Sequence, residues 1–569
     1  MRKTVKRAAS VALAMCMGLP MVACGGGGHE GVCEVKAVLA GYGTDWLEES
    51  VKVFNEMYKS EGYEVEITLI DTSTGMGTEM ITPKRNTTDL YFDYTATINS
   101  LIDKSRVALG KDGGLLLEDL TDVYESKAIG KDKKEQGGAI QERIDEFDVQ
   151  LNRYTGKMKG VEGIYGMPWY GGAAGVYVNK KVLEQKGYTL DSFLTTDSII
   201  EVCKATAPTT ADKAHLNRNN FFPVAWTGVS SGYWCYWTQT MLAQYMGEQK
   251  YKDFYDFIPE GGEEEWLENG WKVYEDRGLY EILHATEQLL NRDWAVPGTL
   301  AFDQIQAQAR LMDGKALFMV SGDWLYKEME RDYEEFLNDV VPVKTPMISA
   351  LGVKLGLCGT EHPEPKFPAN QADFVADYSC DACEAKFRAV IKAVDAGTKT
   401  NAEIATELGV SEAQVTTVRE RRGFYEDAGG FSAVVPSYAD QKDVAKLFLR
   451  FLCSDDGIAI YRKEARANLK VQPINAPTQQ TEIEKIMYEK MYGKDAHAIY
   501  TKTDNLVRKI NAVSFYPGGG TEKGTFLNMS YSHSGTSKPM HTAKSIYFEN
   551  VKIVKGNWQD WLMNCDYID

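Results

Sequence analysis

The chain is short of positive charge and, beyond its N-terminal segment, of long apolar runs. Its 569 residues include 63 Lys and Arg against 81 Asp and Glu, which gives a formal net charge of -18 at pH 7. Nucleic acid and anionic lipid both reward positive charge, so this balance argues against either as the main partner and favours a neutral or cationic ligand. No stretch after the N-terminal segment has the roughly 20 apolar residues that a membrane-spanning helix needs.

Several motifs that indicate catalysis or cofactor binding are also absent. The sequence contains no His-Glu-x-x-His, no P-loop lysine motif and no calcium-loop pattern. Residues 228–232 do match the Gly-x-Ser-x-Gly nucleophile elbow around Ser230, and His284 follows downstream, but nothing local orients a triad. The aromatic residues around Ser230 favour a ligand-facing loop. We therefore predict no enzyme activity and no resident cofactor.

The first twenty-four residues have the pattern of an export signal that ends at a lipid attachment site. Four basic residues precede an apolar, uncharged run over residues 8–23, and Val22-Ala23-Cys24 is a lipobox-type ending. Because this run is shorter than a membrane-spanning helix, a cleaved signal over residues 1–23 fits better than an uncleaved anchor. We predict diacylglycerol on Cys24 and a flexible tether over residues 24–32, which would hold the protein at the extracytoplasmic face of the membrane.

The length and the first hundred residues indicate more than one α/β lobe. A single hydrophobic core stops growing at roughly 250–300 residues, so 569 residues predict two or more lobes. Residues 35–40 have the composition of a buried strand, and residues 65–69 alternate as the next strand. Between them lies a helical pattern that starts at Asp45 and Glu48, a predicted cap, and stops at Gly62. Strand, helix and strand at these lengths predict a parallel α/β sheet.

Three sequence blocks then stand in an order typical of one family. Residues 164–181 place Pro168-Trp169-Tyr170 before a Tyr-x-Asn-Lys strand end. Residues 308–324 have a helix, a Gly-Lys-Ala turn, an apolar strand and a Gly-Asp-Trp loop, and residues 431–453 have Val-Val-Pro before a long amphipathic helix. With the lipidation pattern, these blocks resemble the family 1 extracellular solute-binding proteins, the sugar-binding subunits of ABC importers, over residues 33–475.

The resemblance implies a two-lobed periplasmic-binding-protein-like fold of type II, in the α/β class, with a hinge of two crossing strands. By analogy, lobe one is predicted over residues 33–168 and 426–475, and lobe two over residues 172–425 and 476–569. An insertion is expected at residues 355–429. Within it, residues 401–419 have the spacing of a helix-turn-helix unit, but export and the acidic balance favour a helical hairpin over a DNA reader.

The ligand would lie between the lobes. A sugar ring has apolar C–H faces and a hydroxyl rim, so its cleft needs flat aromatic platforms and polar partners for the hydroxyls. Trp324, in the family's Gly-Asp-Trp loop, is the first candidate platform, with a core position as the alternative, and Asp323 could take a hydroxyl pair. The remaining candidates come from the crossover, lobe two and lobe one: Trp169 and Tyr170; Trp226, Trp234 and Trp237; Tyr42, Asp45 and Tyr94.

The resemblance implies a monomeric receptor that captures a carbohydrate, predicted to be an oligosaccharide, and delivers it to the permease subunits of an ABC importer. Ligand, permease and the membrane, through the N-terminal lipid, would be its partners, and nucleic acid would not. Two alternatives stay open at this point. One is a surface lipoprotein that binds or degrades glycans, and the other is a receptor for peptides or other small solutes on the same scaffold.

The cysteines leave a further question open. Cys380-x-x-Cys383, with Cys358 and His362 upstream, has a ligand set compatible with structural zinc, but the sequence favours a disulfide or free thiols over a metal site. We assign no metal ligand from the sequence, and either a metal or a disulfide here would brace the insertion. Cys453 lies on the apolar side of a helical pattern and is predicted to be a buried thiol.

Overall fold

The structure is a computed structural model, and it describes residues 31–38, 41–71, 76–94, 98–110, 114–156, 158, 160–208, 220–290, 293–427, 431–478, 480–499 and 542–564. The predicted signal peptide, the lipidation site Cys24 and most of the predicted tether lie outside these residues. Among the described residues, no helix is both long enough and apolar enough to cross a bilayer.

The described residues form strands and helices that alternate along most of the chain. The strands are β1 Val32–Val38, β2 Glu64–Asp71, β3 Leu90–Tyr94, β4 Lys127–Ile129, β5 Glu135–Ala139, β6 Met167–Pro168, β7 Ala173–Asn179, β8 Phe222–Val224, β9 Ala316–Ser321, β10 Val340–Pro342, β11 Phe424–Asp427, β12 Phe431–Val434 and β13 His497–Ile499. The helices are α1 Asp45–Tyr58, α2 Gly77–Met80, α3 Ile98–Asp103, α4 Ser105–Leu109, α5 Thr121–Glu125, α6 Glu146–Asn152, α7 Lys180–Gln185, α8 Thr196–Thr206, α9 Cys235–Met246, α10 Glu248–Asp256, α11 Trp266–Asn269, α12 Arg277–Leu289, α13 Gln304–Met312, α14 Trp324–Tyr333, α15 Ala350–Lys354, α16 Asp381–Ala396, α17 Asn401–Leu408, α18 Glu412–Arg422, α19 Lys442–Leu452, α20 Asp455–Ala465, α21 Glu482–Tyr492 and α22 Ala543–Asn564.

The first sheet has the order β2-β1-β3-β12-β6. Strand β1 is parallel to β2 and β3, as the strand-helix-strand pattern predicts, and β12 is antiparallel to β3 and β6. Helix α1 ends before Gly62, whose φ of 88° suits a residue without a side chain. The predicted cap was wrong. Thr44 is the N-cap, with no side-chain cap bond, and the Asp45 carboxylate instead pairs with Lys327.

The second sheet has the order β13-β11-β7-β9-β8, and β10 also pairs with β7. All seven residues of β7 are buried, which fits a strand covered on both faces. Each sheet has its own large hydrophobic cluster. The molecule is therefore built from two α/β lobes, one around each sheet.

Among the described elements, the chain passes between the two sheets three times. Strand β6 of the first sheet is followed within a few residues by β7 of the second, β11 of the second sheet precedes β12 of the first, and β13 of the second sheet follows helices α19 and α20 of the first lobe. Helices α19 and α20 then return to the core of the first sheet, where Cys453 is a fully buried free thiol, as predicted. The two-lobed fold with crossing strands is thus confirmed. Residues Phe424–Asp427 pair within the second sheet.

The region between α15 and β11 contains three α-helices, α16, α17 and α18. Thr400 and Ser411 begin α17 and α18 with capping boxes, and Gly409 ends α17 with a φ of 64°. Helices α17 and α18 pack against each other and against α16. The predicted helical hairpin is confirmed. It lies on the second lobe, where Phe387 of α16 packs closely against Gly352 of α15.

Candidate functional site

Tyr42 of the first lobe meets Asp323 and Trp324 of the second. Tyr42 follows β1, whereas Asp323 follows β9 and Trp324 is the first residue of α14. The Tyr42 hydroxyl lies 3.1 Å from Asp323 Oδ1 and donates a hydrogen bond to it. The Tyr42 ring meets the Trp324 indole edge to face, with centroids 6.3 Å apart. Three residues predicted from distant parts of the sequence are therefore in direct contact between the lobes.

Two further tyrosines surround the indole of Trp324. Trp324 Nε1 donates to the Tyr233 hydroxyl at 3.1 Å, and the rings of Tyr233 and Tyr236 lie 5.8 and 5.7 Å from the indole. Trp324 is 8% exposed and packs into the hydrophobic cluster of the first sheet, although its helix follows a strand of the second. We call Tyr42, Asp323, Trp324, Tyr233 and Tyr236 the interlobe aromatic contact.

Two glycines allow the lobes to approach this closely. A Cβ at Gly172, on the crossing segment, would lie 2.7 Å from Trp324 Cζ3 and 3.0 Å from the Tyr42 hydroxyl. A Cβ at Gly41, whose φ is 82°, would lie 3.2 Å from the Trp324 Cβ. Real side-chain carbons do not approach to 2.7 Å without displacement, so a larger residue at Gly172 would push the indole away.

Asp323 is fully buried at this contact. Burial raises the pKa of its carboxyl to about 7, against the opposing effect of hydrogen bonds from Tyr42 and from the backbone amides of Asn468 and Ala173. Asp427 adds to the upward shift. Near neutral pH the carboxyl can therefore either accept or donate a hydrogen bond, which suits the pairing of a ligand hydroxyl.

Ion pairs join helix α14 to the first lobe beside this contact. Lys327 Nζ lies 2.6 Å from Asp45 Oδ2 and 2.8 Å from Glu330 Oε2. Arg466, just after α20, donates from Nε to Glu330 Oε1 at 2.7 Å. Asp45 is exposed, so this predicted site residue lies at the rim of the interface.

A buried ion-pair cluster lies at the crossing segments. Lys470 Nζ is 2.6 Å from Asp148 Oδ1 and 2.9 Å from Asp427 Oδ2, and all three side chains are at most 4% exposed. Asp427 ends β11 of the second sheet, whereas Asp148 and Lys470 belong to the first lobe. Burial raises the pKa of Asp148 to about 6, against the opposing charge of Lys470. We call Lys470, Asp148 and Asp427 the hinge triad.

Tyr170 connects the crossing segment with the interlobe aromatic contact. Its ring stacks on Tyr42 with centroids 5.2 Å apart and planes 16° apart, and its hydroxyl donates to Val38 O at 3.2 Å. Tyr461 of α20 contacts both rings, at 6.2 Å from Tyr42 and 6.4 Å from Tyr170. The crossing segment thus places Tyr170 beside Tyr42, and the role of Tyr170 toward a ligand stays a prediction.

The other predicted aromatic residues pack elsewhere. Trp169 lies in the core of the first sheet, 5.6 Å from Trp46 and 5.5 Å from Phe92. The remaining tryptophans are buried in the core of the second sheet: Trp226, Trp234 and Trp237. Tyr94 ends β3, and its side chain is not among those described. The structure does not bring the four tryptophans to the interlobe aromatic contact, and their roles toward a ligand stay predictions.

Some residues of the interface were missed in the sequence. Tyr233 lies in the 3-10 turn before α9 and Tyr236 lies in the first turn of α9, and this spacing of three residues was a usable signal, because it places both aromatic side chains on one face. Lys327 and Arg466 had no such signal, since their partners stand far away in the sequence. Ion pairs of this kind leave no fixed spacing.

The Gly-x-Ser-x-Gly segment does not assemble a triad with His284. Ser230 Oγ donates to Gln304 Oε1 at 2.9 Å, and Gly228 packs against the Leu300 backbone. His284 lies on α12, stacked on Tyr280 and 3.0 Å from Gln288 Nε2. In the described part of the chain, these contacts hold Ser230 and His284 in separate networks.

Known proteins resemble the chain at the level of family and fold. The sequence model of the bacterial extracellular solute-binding protein family matches residues 40–459. The bacterial solute receptor AcbH, described as preferring β-D-galactopyranose, superposes with a TM-score of 0.53 at 12% identity, over 94% of this chain and 99% of its own.

Two further solved structures share the fold. The solute-binding protein RafE in complex with raffinose has a TM-score of 0.52 at 10% identity, over 93% of this chain and 99% of its own. An ABC transporter solute-binding protein from Thermotoga lettingae TMO, bound with α-D-tagatose, has a TM-score of 0.51 at 13% identity, over 93% and 99%. No curated protein sequence matches the chain.

Proposed function

The chain belongs to the bacterial extracellular solute-binding protein family, and from that premise we propose that it captures a carbohydrate between its lobes for an ABC importer. The observation that carries the proposal is the interlobe aromatic contact. Aromatic rings from both lobes stand there beside a buried carboxyl group, which is the combination that a sugar's apolar faces and hydroxyl rim require. The sugars named for AcbH, RafE and the Thermotoga protein support the same ligand class.

We propose that binding works through the separation and closure of the lobes. In the described form, the Tyr42 hydroxyl donates to Asp323 Oδ1, and Trp324 packs against Tyr233 and Tyr236. A sugar would enter when the lobes separate, replace the Tyr42 hydroxyl at Asp323 with one of its own hydroxyls, and stack on the indole. Because the ligand touches both lobes only after closure, it stabilises the closed form by its differential affinity, and the permease reads that form.

The finer parts of the proposal concern the ligand and the membrane. We propose an oligosaccharide, bound by a monomer without cleavage of any bond. The lobes would span residues 33–168 with 426–475, and residues 172–425 with 476–569. Diacylglycerol on Cys24 would hold the receptor at the extracytoplasmic face and raise its effective concentration at the permease.

A ligand screen tests the ligand class. The purified protein is exposed to mono- and oligosaccharides beside amino acids and peptides, while thermal unfolding and tryptophan fluorescence are recorded and each bound ligand is checked for cleavage. We expect a saturable shift with one intact sugar class, because a ligand at 100 times its dissociation constant stabilises by about 2.7 kcal/mol.

Other outcomes of the screen would decide against parts of the proposal. A shift only with peptides or amino acids would remove the carbohydrate assignment but leave a solute receptor. Turnover of a glycan would replace the receptor by a glycan-degrading lipoprotein. Mass spectrometry of the mature N-terminus tests lipidation separately, and an unmodified Cys24 would remove the anchor.

A further inference from the structure

Four side chains with metal-binding atoms converge in the second lobe, away from the interlobe aromatic contact. The Sγ atoms of Cys358, Cys380 and Cys383 and a ring nitrogen of His362 all lie within 4.8 Å of one another. The Cys358 Sγ and His362 Nε2 atoms are 3.3 Å apart. Cys358 and His362 come from the loop after α15, whereas Cys380 and Cys383 stand at the start of α16.

We propose that these four side chains bind one zinc ion in a closed, structural Cys3His site. Tetrahedral zinc has Zn–S distances of about 2.3 Å and Zn–N distances of about 2.0 Å, so its ligand atoms stand roughly 3.6–3.8 Å apart. Atoms that already lie within 4.8 Å of one another need to move by about an ångström to reach that geometry.

The donor set selects the ion and the kind of site. Three thiolates and an imidazole suit zinc and disfavour magnesium and calcium, which prefer oxygen ligands. Four protein ligands fill a tetrahedral shell, and a catalytic zinc would need one position for water or substrate. The site therefore braces the fold and takes no part in chemistry.

Backbone and side-chain contacts around the cluster orient the ligands. Cys380 is the N-cap of the sixteen-residue helix α16, and its Sγ accepts a hydrogen bond from the Cys383 amide at 3.4 Å. Tyr378 donates from its hydroxyl to His362 O at 3.0 Å and so links the two parts of the loop that carry the ligands.

The metal would fasten a long loop that has little regular structure of its own. Between α15 and α16, the described regular structure is a single 3-10 turn at Gln371–Asp373. The rings of Phe367 and Phe374 pack on Tyr547 of α22, and Arg277 Nη2 donates to Ala376 O at 2.9 Å. Zinc would join the two ends of this loop and thereby hold it against α12 and α22.

A disulfide is the competing use of these cysteines in an oxidising compartment. In the structure, Cys358, Cys380 and Cys383 are all free. One disulfide would use two of the three thiols and would leave the third thiol and His362 without a function in the cluster. Zinc uses all four side chains.

The test measures metal content in the full-length protein, purified with a reductant and without chelators. We expect about one zinc per chain by inductively coupled plasma mass spectrometry, and less than about 0.2 in Cys383→Ser and His362→Ala. Cys235→Ser, which changes a free cysteine outside the cluster, is the matched control and keeps the zinc. Cobalt in place of zinc should give the visible absorption of a tetrahedral thiolate site.

A second measurement covers variants that fail to fold. Wild-type protein is stripped of metal with a chelator and titrated with zinc, and we expect saturation near one equivalent with a rise in the thermal unfolding midpoint. Two results would overturn the site: no zinc bound, even in excess, by protein with three free thiols, or a disulfide among Cys358, Cys380 and Cys383 in the unreduced, alkylated protein.

Discussion

The two lobes meet in two regions of opposite character, the interlobe aromatic contact and the hinge triad. The first consists of ring edges, hydrogen bonds and, at its rim, the exposed Asp45 paired with Lys327. The second is a lysine between two carboxylates, buried almost completely. Breaking an exposed ion pair costs little because water replaces its contacts, whereas breaking a buried cluster is expensive because the remaining charges stay buried without a partner. We therefore expect the interlobe aromatic contact to separate when the lobes open and the hinge triad to stay assembled.

Removal of the central charge of the hinge triad should have the largest effect. Lys470→Ala leaves Asp148 and Asp427 buried without their cation, so we expect a loss of about 3–5 kcal/mol in the free energy of unfolding. Chemical denaturation measures this loss of unfolding free energy. Lys52→Ala, which removes an exposed lysine paired with Glu49, is the control and should change stability by less than about 0.5 kcal/mol. A loss of unfolding free energy in Lys470→Ala as small as that in Lys52→Ala would mean that the buried charges of the hinge triad do not hold the lobes together.

The buried carboxyl group of Asp323, in the interlobe aromatic contact, should make the free energy of unfolding depend on pH. Burial raises the pKa of Asp323 from 3.8 to about 7, so the native protein keeps a proton that the unfolded chain releases. The stability that Asp323 contributes is complete below about pH 4 and is lost as the pH rises through about 7. Each unit of pKa difference corresponds to about 1.4 kcal/mol, so the loss in unfolding free energy is on the order of 4 kcal/mol.

Asp323→Asn separates this effect from other titrations. The fall in unfolding free energy between pH 4 and pH 7.5 should be smaller in Asp323→Asn than in the wild type. Asp45→Asn, an exposed aspartate at the rim of the same interface, should keep the wild-type profile. Equal slopes in the wild type and Asp323→Asn would mean that Asp323 is ionised in the native protein.

Loss of the Trp324 indole from the interlobe aromatic contact should weaken ligand binding. Trp324→Ala removes the proposed platform, and we expect a loss of about 2–3 kcal/mol in binding free energy, or roughly 30- to 150-fold in Kd, by calorimetric titration with the sugar that the screen identifies. Trp266→Ala removes a half-buried indole on α11 and should leave Kd unchanged. Unchanged affinity in Trp324→Ala would place the sugar elsewhere.

The rim ion pair should contribute least. Asp45→Ala breaks the pair with Lys327, whose partner Glu330 remains. Because Asp45 is exposed, we expect a change below about 1 kcal/mol in unfolding free energy, decreasing further with added salt. A larger loss of unfolding free energy that does not change with salt would show that buried charge holds the interlobe aromatic contact together, as it does the hinge triad.

The sequence predicted the fold because local patterns determine it. The β1-α1-β2 unit follows from periodicity, and the order of three motif blocks indicated the crossing strands. The Gly-Asp-Trp loop also identified Asp323 and Trp324, which do meet Tyr42. The other tryptophans show the limit of composition. An aromatic side chain suits a sugar platform and a core equally, so the sequence could not separate Trp324 from Trp237.

Contacts between distant parts of the chain could not be predicted from the sequence. Lys470 meets Asp148 and Asp427 only because the crossing segments bring both lobes together, and no spacing encodes that. The proposed zinc site could be predicted in part from the sequence. Cys380 and Cys383 have a recognisable spacing, but only the folded loop shows that Cys358 and His362 join them.

The most direct test of carbohydrate capture between the lobes is the structure of the protein at saturating concentrations of the tightest-binding sugar. We expect an intact sugar stacked on Trp324, with a sugar hydroxyl at Asp323 in place of the Tyr42 hydroxyl and contacts from both lobes. A sugar bound to one lobe alone, with the hydrogen bond from Tyr42 to Asp323 still in place, would contradict it.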